Sequence, residues 1–358
     1  MTTQTRTVTG LDDITQRYTT LRLQVGDQGR TQLTGPIEYQ GSFEQYKHHE
    51  LTSNIGREYG ADFQLRDLID ADDTVLRDFA RIVSERGVLF LKSQSISAQE
   101  MQDFLKRFHT VAGAPKSSGL HIHPSINVNG GSDEGIRIQK ISSEAQKKAG
   151  GNFWRADGRK FWASEGWHSD VSWEKAPADY SMLKLVQIPK SGGDTMFASG
   201  EALYERLSPS FAQYLETLEA VHAGSAFLEE VERNGGKLFQ GERGSPFNRN
   251  LDLAAVHPVV RINPVTGKKA IFVNKSFTKH VVGVTPFESE LILNFLYSIL
   301  TNNHDIQARV RWEQNDLAIW DNRSVFHSAT FDFEGERLGE RACSVGEVPF
   351  FDANYGKK

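Results

Sequence analysis

The 358-residue sequence predicts a β-rich α+β fold, a sandwich or jelly-roll barrel buttressed by helices. Three observations carry that prediction. Short strand-like runs recur from residue 168 onward, turns separate them, and helical periodicity interrupts them at about 200–220 and 286–301. The 31 glycines against 11 prolines imply many turns, which suits such an architecture better than a helical bundle.

Residues 1 to about 70 are polar and weakly periodic, and are read as an extended, partly ordered N-terminal arm. Regular patterning begins at Asp73. Val75, Leu76, Phe79, Ile82 and Val83 fall on one helical face, and Gly87 stops the helix. Val88-Leu89-Phe90-Leu91 then reads as a buried strand. Ser97 with Glu100 forms a capping box, and Met101, Phe104, Leu105 and Phe108 mark a second amphipathic helix. Gly119 to Gly166 has no sustained period, so it is expected to be a functional lid or a disordered insertion. Strand-like runs follow at 182–188, 195–198, 256–262, 270–274, 308–312, 317–320 and 342–345. Asn263-Pro264-Val265-Thr266-Gly267 is a hairpin turn between two of them. Thr285, Pro286 and Glu288 open the later helix as a capping box with proline at its first position.

Composition narrows the function classes. With 41 Lys+Arg against 46 Asp+Glu the net charge is −5, and the interspersed charges do not suggest a nucleic-acid surface. Hydrophobic residues make up 38%, with no apolar run of the ~18 residues that a membrane span needs. The N-terminal segment lacks the apolar run of a secretory signal, and the expectation is a soluble cytoplasmic protein. The lone Cys343 excludes an internal disulfide framework and a thiolate metal site.

Among the eleven histidines, His168 stands out because Trp167-His168-Ser169-Asp170 can present an imidazole and a carboxylate on one strand face. Alone, that pair is weak evidence. A third candidate, His327, follows a buried-looking strand and the polar turn Asp321-Asn322-Arg323-Ser324. Two histidines and one carboxylate with open positions describe the facial triad of non-haem Fe(II) oxygenases. The competing reading is a hydrogen-bonded core histidine at 327 and a surface aspartate at 170.

The words around these residues decide between the readings. LHIHP (120–124), WHSDVSWEKAP (167–177), SGGDTMFASG (191–200), HPVVRINPVTGKKAIFVNKSFTKHVVG (257–283) and VRWEQNDLAIWDNRSVFHSATFDF (310–333) resemble the TauD/TfdA family of Fe(II)/2-oxoglutarate-dependent dioxygenases. They occur in the family's order and cover roughly residues 75 to 354. The resemblance implies a double-stranded β-helix over 71–358, with a lid insertion at about 127–166. It implies Fe(II) on His168, Asp170 and His327, with 2-oxoglutarate and O2 as co-substrates. Arg337 and Thr195 match the family's guanidinium and hydroxyl for the distal carboxylate of 2-oxoglutarate; for Arg337, a surface salt bridge with Glu334 or Glu336 competes. Arg341, four residues on and on the same strand face, is the other candidate for that carboxylate; the resemblance gives the first arginine to 2-oxoglutarate and the second to the substrate anion, and which is which stays open at this point.

Substrate recognition departs from the pattern. His123 matches the histidine that meets the sulfonate in taurine dioxygenase, but the family's tyrosine three residues later is Ile126 here. Residues 142–163 look like an insertion, and the loop after His327 looks one residue shorter. Trp154, Phe161, Trp162 and Trp173 would either line the lid or pack. The pocket is expected to keep a cationic anchor in more apolar surroundings, and to take a small anionic or zwitterionic substrate: an alkylsulfonate, a sulfate ester or an amino acid. Hydroxylation is the usual outcome, with release of succinate and CO2; desaturation or ring closure is the alternative. Two other classes stay open at this point, a catalytically silent jelly-roll binding protein and a zinc hydrolase using the same three ligands. The sequence also leaves open a homo-oligomer. Cys343 shares the face of Arg341 and is expected near the pocket or in ordinary core packing.

Overall fold

The computed structural model describes residues 27–124, 137–144, 162–233 and 237–357. Strands β1 (His48–Glu50) and β2 (Arg57–Tyr59) precede helix α1 (Asp73–Arg86), strand β3 (Val88–Leu91) and helix α2 (Ala98–Val111). Next come β4 (Gln139–Ser142), β5 (Ala178–Gln187), β6 (Thr195–Ser199), α3 (Gly200–Glu205), α4 (Pro209–Leu215), β7 (Glu219–Ala223) and α5 (Ser225–Arg233). Strands β8 (Ala254–Pro258), β9 (Val260–Ile262), β10 (Lys269–Ile271) and β11 (Thr278–Val281) lead to helix α6 (Pro286–Asn302). The chain closes with β12 (Gln307–Val310), β13 (Leu317–Asp321), β14 (Val325–Ala329) and β15 (Leu338–Val345). Among the described residues, no helix is long and apolar enough to cross a membrane.

Two sheets build the core. One has seven strands in the order β1-β2-β3-β13-β5-β15-β4, and the other has three in the order β12-β6-β14. Val88, Phe90, Leu183, Leu185, Phe197, Trp312 and Trp320 fill the space between them. The outer face of the large sheet carries Leu89, Leu91, Tyr180, Met182, Leu317 and Ile319, which pack against Phe79, Phe104 and Phe108 of α1 and α2. Strands buried on both faces read as unbroken apolar runs, which is why Val88–Leu91 shows no alternation. Behind the small sheet, Leu293, Leu296 and Leu300 of α6 meet Ala198, Ala202, Leu203 and Phe326.

Local signals set the helix ends. Both capping boxes form, with Ser97 and Thr285 each accepting from the backbone amide of the glutamate three residues on. Gly87 ends α1 at φ +73°, and a Cβ there would meet Val325 Cγ2 at 2.8 Å, so neither the turn nor the packing tolerates a side chain.

Two expectations need correction. Residues 27–70 are not an extended arm. Strand β2 lies parallel to β3 in the large sheet, and Ile37, Phe43, Tyr59, Phe63, Leu65 and Leu68 enter the main core. Their spacing is irregular because loops, one short strand and a single 3-10 turn (Leu65–Leu68) deliver them in succession. One such loop is pinned where the amides of Gln40 and Ser42 donate to Asp78 at 2.7 and 2.8 Å. Within the segment read as lacking regular structure, Gln139–Ser142 forms β4, the antiparallel edge partner of β15. Of the expected lid, 127–136 and 145–161 lie outside the described residues, together with Ile126, Trp154 and Phe161. Trp162 is exposed, whereas Trp173 is fully buried and packs.

A third sheet, β11-β7-β8, holds His222 and His257 with ring centroids 5.2 Å apart. Burial pushes the His257 imidazole down to about 3, reinforced by Arg261; burial, with His257 alongside, holds His222 well below its ordinary value. Both are therefore neutral in the fold, while the unfolded chain protonates them near pH ~6.5. Below that pH the unfolded state binds more protons, so their contribution is intact above ~6.5 and is lost as pH falls toward the folded values. The expected slope is up to about 1.4 kcal/mol per pH unit for each histidine. Urea midpoints at several pH values between neutrality and pH ~5 measure it. His257→Gln should flatten the profile, and an unchanged slope would refute the assignment.

Candidate active site

The backbone itself brings the two candidate histidine ligands together. His168, in the loop before β5, pairs as an isolated antiparallel bridge with His327 of β14, through reciprocal N–H···O bonds of 3.0 and 2.8 Å. Residues directly opposite in such a pair project from the same face. Accordingly the imidazole centroids lie 4.2 Å apart. His168 Nδ1 donates to the Gly166 carbonyl at 2.7 Å, which fixes the tautomer and leaves Nε2 as the lone-pair atom.

Asp170 follows two residues later. Its Oδ1 is 3.7 Å from His168 Nε2 and 3.8 Å from His327 Nε2, and the three ligand atoms lie within 4.8 Å of one another. Val171, immediately after it, has φ +47°, a left-handed conformation that a β-branched residue rarely adopts. Burial opposes ionisation of Asp170, but Arg341 and the two imidazoles outweigh it and hold the carboxyl well below the ordinary range. Burial, with His168 adjacent, pushes His327 down to about 3. Two imidazoles and a carboxylate on one side are the donor set that a divalent transition metal takes, so the residues present fit Fe(II).

A second group lies beside this centre. Arg337 on the approach to β15 is buried; its Nε donates to the Gly193 carbonyl at 2.9 Å, and its Nη2 is 3.4 Å from Thr195 Oγ1. Trp312 Nε1 donates to the same hydroxyl at 3.0 Å. Burial lowers the Arg337 guanidinium to about 10, opposed by Asp194. Among the described residues no carboxylate forms an ion pair with it. Asp194 instead pairs with Arg309, and the expected competitors Glu334 and Glu336 form no ion pair with Arg337. A buried guanidinium with a hydroxyl beside it and no ion pair among the described residues fits the distal carboxylate of 2-oxoglutarate.

Arg341 has a different arrangement. Its Nη1 donates to Asp170 Oδ1 at 2.6 Å and its Nη2 to Gln139 Oε1 of β4 at 2.5 Å. His123 is buried with its ring 4.8 Å from Phe227 and 6.1 Å from Trp173. Burial first, then His121 and Arg341, holds its imidazole well below the ordinary value, so it is a neutral hydrogen-bonding group rather than a second cation.

Residues 47–343 match the model of the taurine catabolism dioxygenase TauD, TfdA family. The chain belongs to that family. The dioxygenase is 33% identical to an alpha-ketoglutarate-dependent dioxygenase, esdpJ, of Penicillium shearii, over 88% of this chain and 93% of the relative. It is also 33% identical to an alpha-ketoglutarate-dependent sulfonate dioxygenase of Saccharomyces cerevisiae, covering 87% of this chain and 69% of the yeast protein. The crystal structure of a taurine dioxygenase from Burkholderia xenovorans superposes with a TM-score of 0.62 at 26% identity, over 85% of this chain and 92% of that one. The fold is thus the family's jelly roll, and the protein is an Fe(II)/2-oxoglutarate-dependent dioxygenase using O2. The silent-binding and zinc-hydrolase readings fall away.

Several side chains of the dioxygenase that shape its site were not picked out from the sequence. Ser181 and Asn322 surround Asp170, and Trp312 holds Thr195. Behind Trp173, Glu174 accepts from Arg243 Nε and Nη2 at 2.5 and 2.8 Å and lies 3.2 Å from His121 Nε2, all three buried. The available signal was a polar residue inside an apolar or motif segment: Ser181 in Tyr180-Ser181-Met182-Leu183, and Glu174 directly after Trp173. Cys343 lies at the site's edge, where burial pushes its thiol up to about 12, so it packs as an inert thiol.

Proposed function

We propose that this dioxygenase oxidises an unactivated C–H bond in a small anionic substrate, an alkylsulfonate or a sulfate ester ahead of an amino acid. One observation carries the reading: the Arg341 guanidinium, its side chain only 13% exposed, sits 2.6 Å from the carboxylate that would face the metal, and its charge helps hold the His123 imidazole low. A cation and a neutral donor suit a tetrahedral, multiply accepting anion head group. The 33% identity to the yeast sulfonate dioxygenase supports the same choice.

Bound Fe(II), with 2-oxoglutarate and O2, would supply the oxidising power and release succinate and CO2. In this reading His168 Nε2, Asp170 Oδ1 and His327 Nε2 hold the metal. Arg337 and the Thr195 hydroxyl hold the distal carboxylate of the co-substrate, which leaves its other end for the metal. Arg341 and His123 orient the substrate anion, so that the carbon to be oxidised is set by the length of chain behind it. Phe227 beside His123, and Phe277 with its ring 5.7 Å from that of His168, give apolar walls that restrict water.

The test is a panel of alkylsulfonates, alkyl sulfates and small amino acids, scored for succinate release under oxygen and for product mass. A sulfonate or sulfate should raise succinate well above the substrate-free background and appear as an oxidised product. Stimulation by amino acids alone, or by no member of the panel, would overturn the substrate class.

A further inference from the structure

The two oxygens of the Asp170 carboxylate have different partners. Oδ1 is the atom near both imidazole Nε2 atoms, at 3.7 and 3.8 Å. Oδ2 accepts a 2.7 Å hydrogen bond from Ser181 Oγ, on the fully buried stretch of β5 where Ser181 stands opposite Trp320 on one side and Cys343 on the other. The direction of that bond is fixed from behind. Asn322 Nδ2 donates to Ser181 Oγ at 2.8 Å. Asn322 Oδ1 in turn accepts from Trp320 Nε1 and from the Asp170 backbone amide, both at 3.0 Å, so the amide can be oriented only one way. The serine oxygen is thus used as an acceptor, and its one hydrogen has two places to go. One is the carboxylate; the other is Cys343 Sγ, also 3.0 Å away. A charged oxygen is much the stronger acceptor. The result is a one-directional relay, Trp320 to Asn322 to Ser181 to Asp170, ending on the oxygen that does not face the imidazoles.

We propose that Ser181 is a positioning residue for the metal: through Oδ2 it locks the carboxylate rotation that aims Oδ1 at the ion. The proposal rests on His168, Asp170 and His327 being the metal ligands. Without the hydroxyl the carboxylate can turn about its Cβ–Cγ bond, held by Arg341 on Oδ1 and by the long, weak Cys343 Sγ contact on Oδ2. Loss of a hydrogen bond to a ligating group typically costs 10–100-fold in metal affinity.

The test is Mn(II) affinity of the full chain, measured by calorimetry without 2-oxoglutarate or substrate. Ser181→Ala should keep the parent's circular dichroism and bind Mn(II) at least about tenfold more weakly. Cys343→Ala, which removes a sulfur 3.8 Å from Oδ2, should change it little. Parent-like affinity in Ser181→Ala overturns the proposal, as does a loss seen in Cys343→Ala instead. Should the alanine variant fail to fold, Ser181→Thr and Ser181→Val, alike in shape but differing in the hydroxyl, replace it; equal affinities of that pair overturn the proposal. His168→Ala in the same titration separates the two levels. If it binds Mn(II) like the parent, the ligand assignment has failed rather than the role of Ser181.

Discussion

Asp170→Ala abolishes divalent-metal binding and succinate formation and also destabilises the metal-free protein, whereas His168→Ala abolishes the first two and leaves stability nearly unchanged. Both substitutions remove one of the three proposed ligands. They differ in what they leave behind. Asp170 carries the counter-charge of Arg341, whose side chain is only 13% exposed, and the two meet at 2.6 Å. Removing one member of a buried, hydrogen-bonded pair strands the other, at a cost of about 3–5 kcal/mol. That corresponds to a melting temperature lower by several degrees. The His168 side chain is 26% exposed, and losing it forfeits the Nδ1 bond to Gly166 and the ring contacts to His327 and Phe277 but strands no charge. Calorimetric titration with Mn(II), a succinate assay and thermal scans of the metal-free proteins distinguish the cases. Equal melting temperatures for the two variants would show that the Asp170–Arg341 pair does not stabilise the fold.

The second large effect is at Arg337. If this guanidinium holds the distal carboxylate of 2-oxoglutarate, Arg337→Leu raises the co-substrate KM by roughly 30-fold or more, since a buried charge-assisted contact is worth about 2–5 kcal/mol. Arg337→Lys keeps the charge but not the planar fork, and is expected to recover only part of the loss. The substitution should also stabilise the protein without 2-oxoglutarate, because a buried cation with no ion pair among the described residues is replaced by an apolar side chain. Initial rates against 2-oxoglutarate concentration and a thermal scan read the two effects separately. An unchanged KM would return Arg337 to a structural role.

Much of this was legible before the fold. Ser97, Thr285 and Gly87 act within one turn of themselves, so their helix ends can be read from three or four neighbours. The pairing of His168 with Asp170 was legible too, but not for the reason of a shared strand face: His168 is a single bridge residue and Asp170 stands in the turn that follows. The convergence of His327 on His168 is not local. It is set by a bridge between distant segments, and only the resemblance of the long motifs to a family supplied it. The strands β1, β2 and β4 were missed because three or four residues are too few to show a period, and their pairing depends on neighbours far away in sequence. Ser181 was missed because a serine in an apolar strand looks like a neutral core position until the carboxylate above it is known.

The bridge between His168 and His327 is made entirely of peptide groups, and this has an evolutionary consequence. Both hydrogen bonds would survive replacement of either imidazole, so the loop bearing the first ligand stays fastened to β14 whatever residues stand there. Folding and chemistry at this place are therefore separable by point mutation. A descendant could drop a histidine, lose the ion, and keep a well-formed site beside β14 for some other cargo. The carboxylate has no such freedom, because Arg341 depends on it. Along a lineage losing its oxidative chemistry, the histidines should be the first ligands to vary, and the aspartate the last.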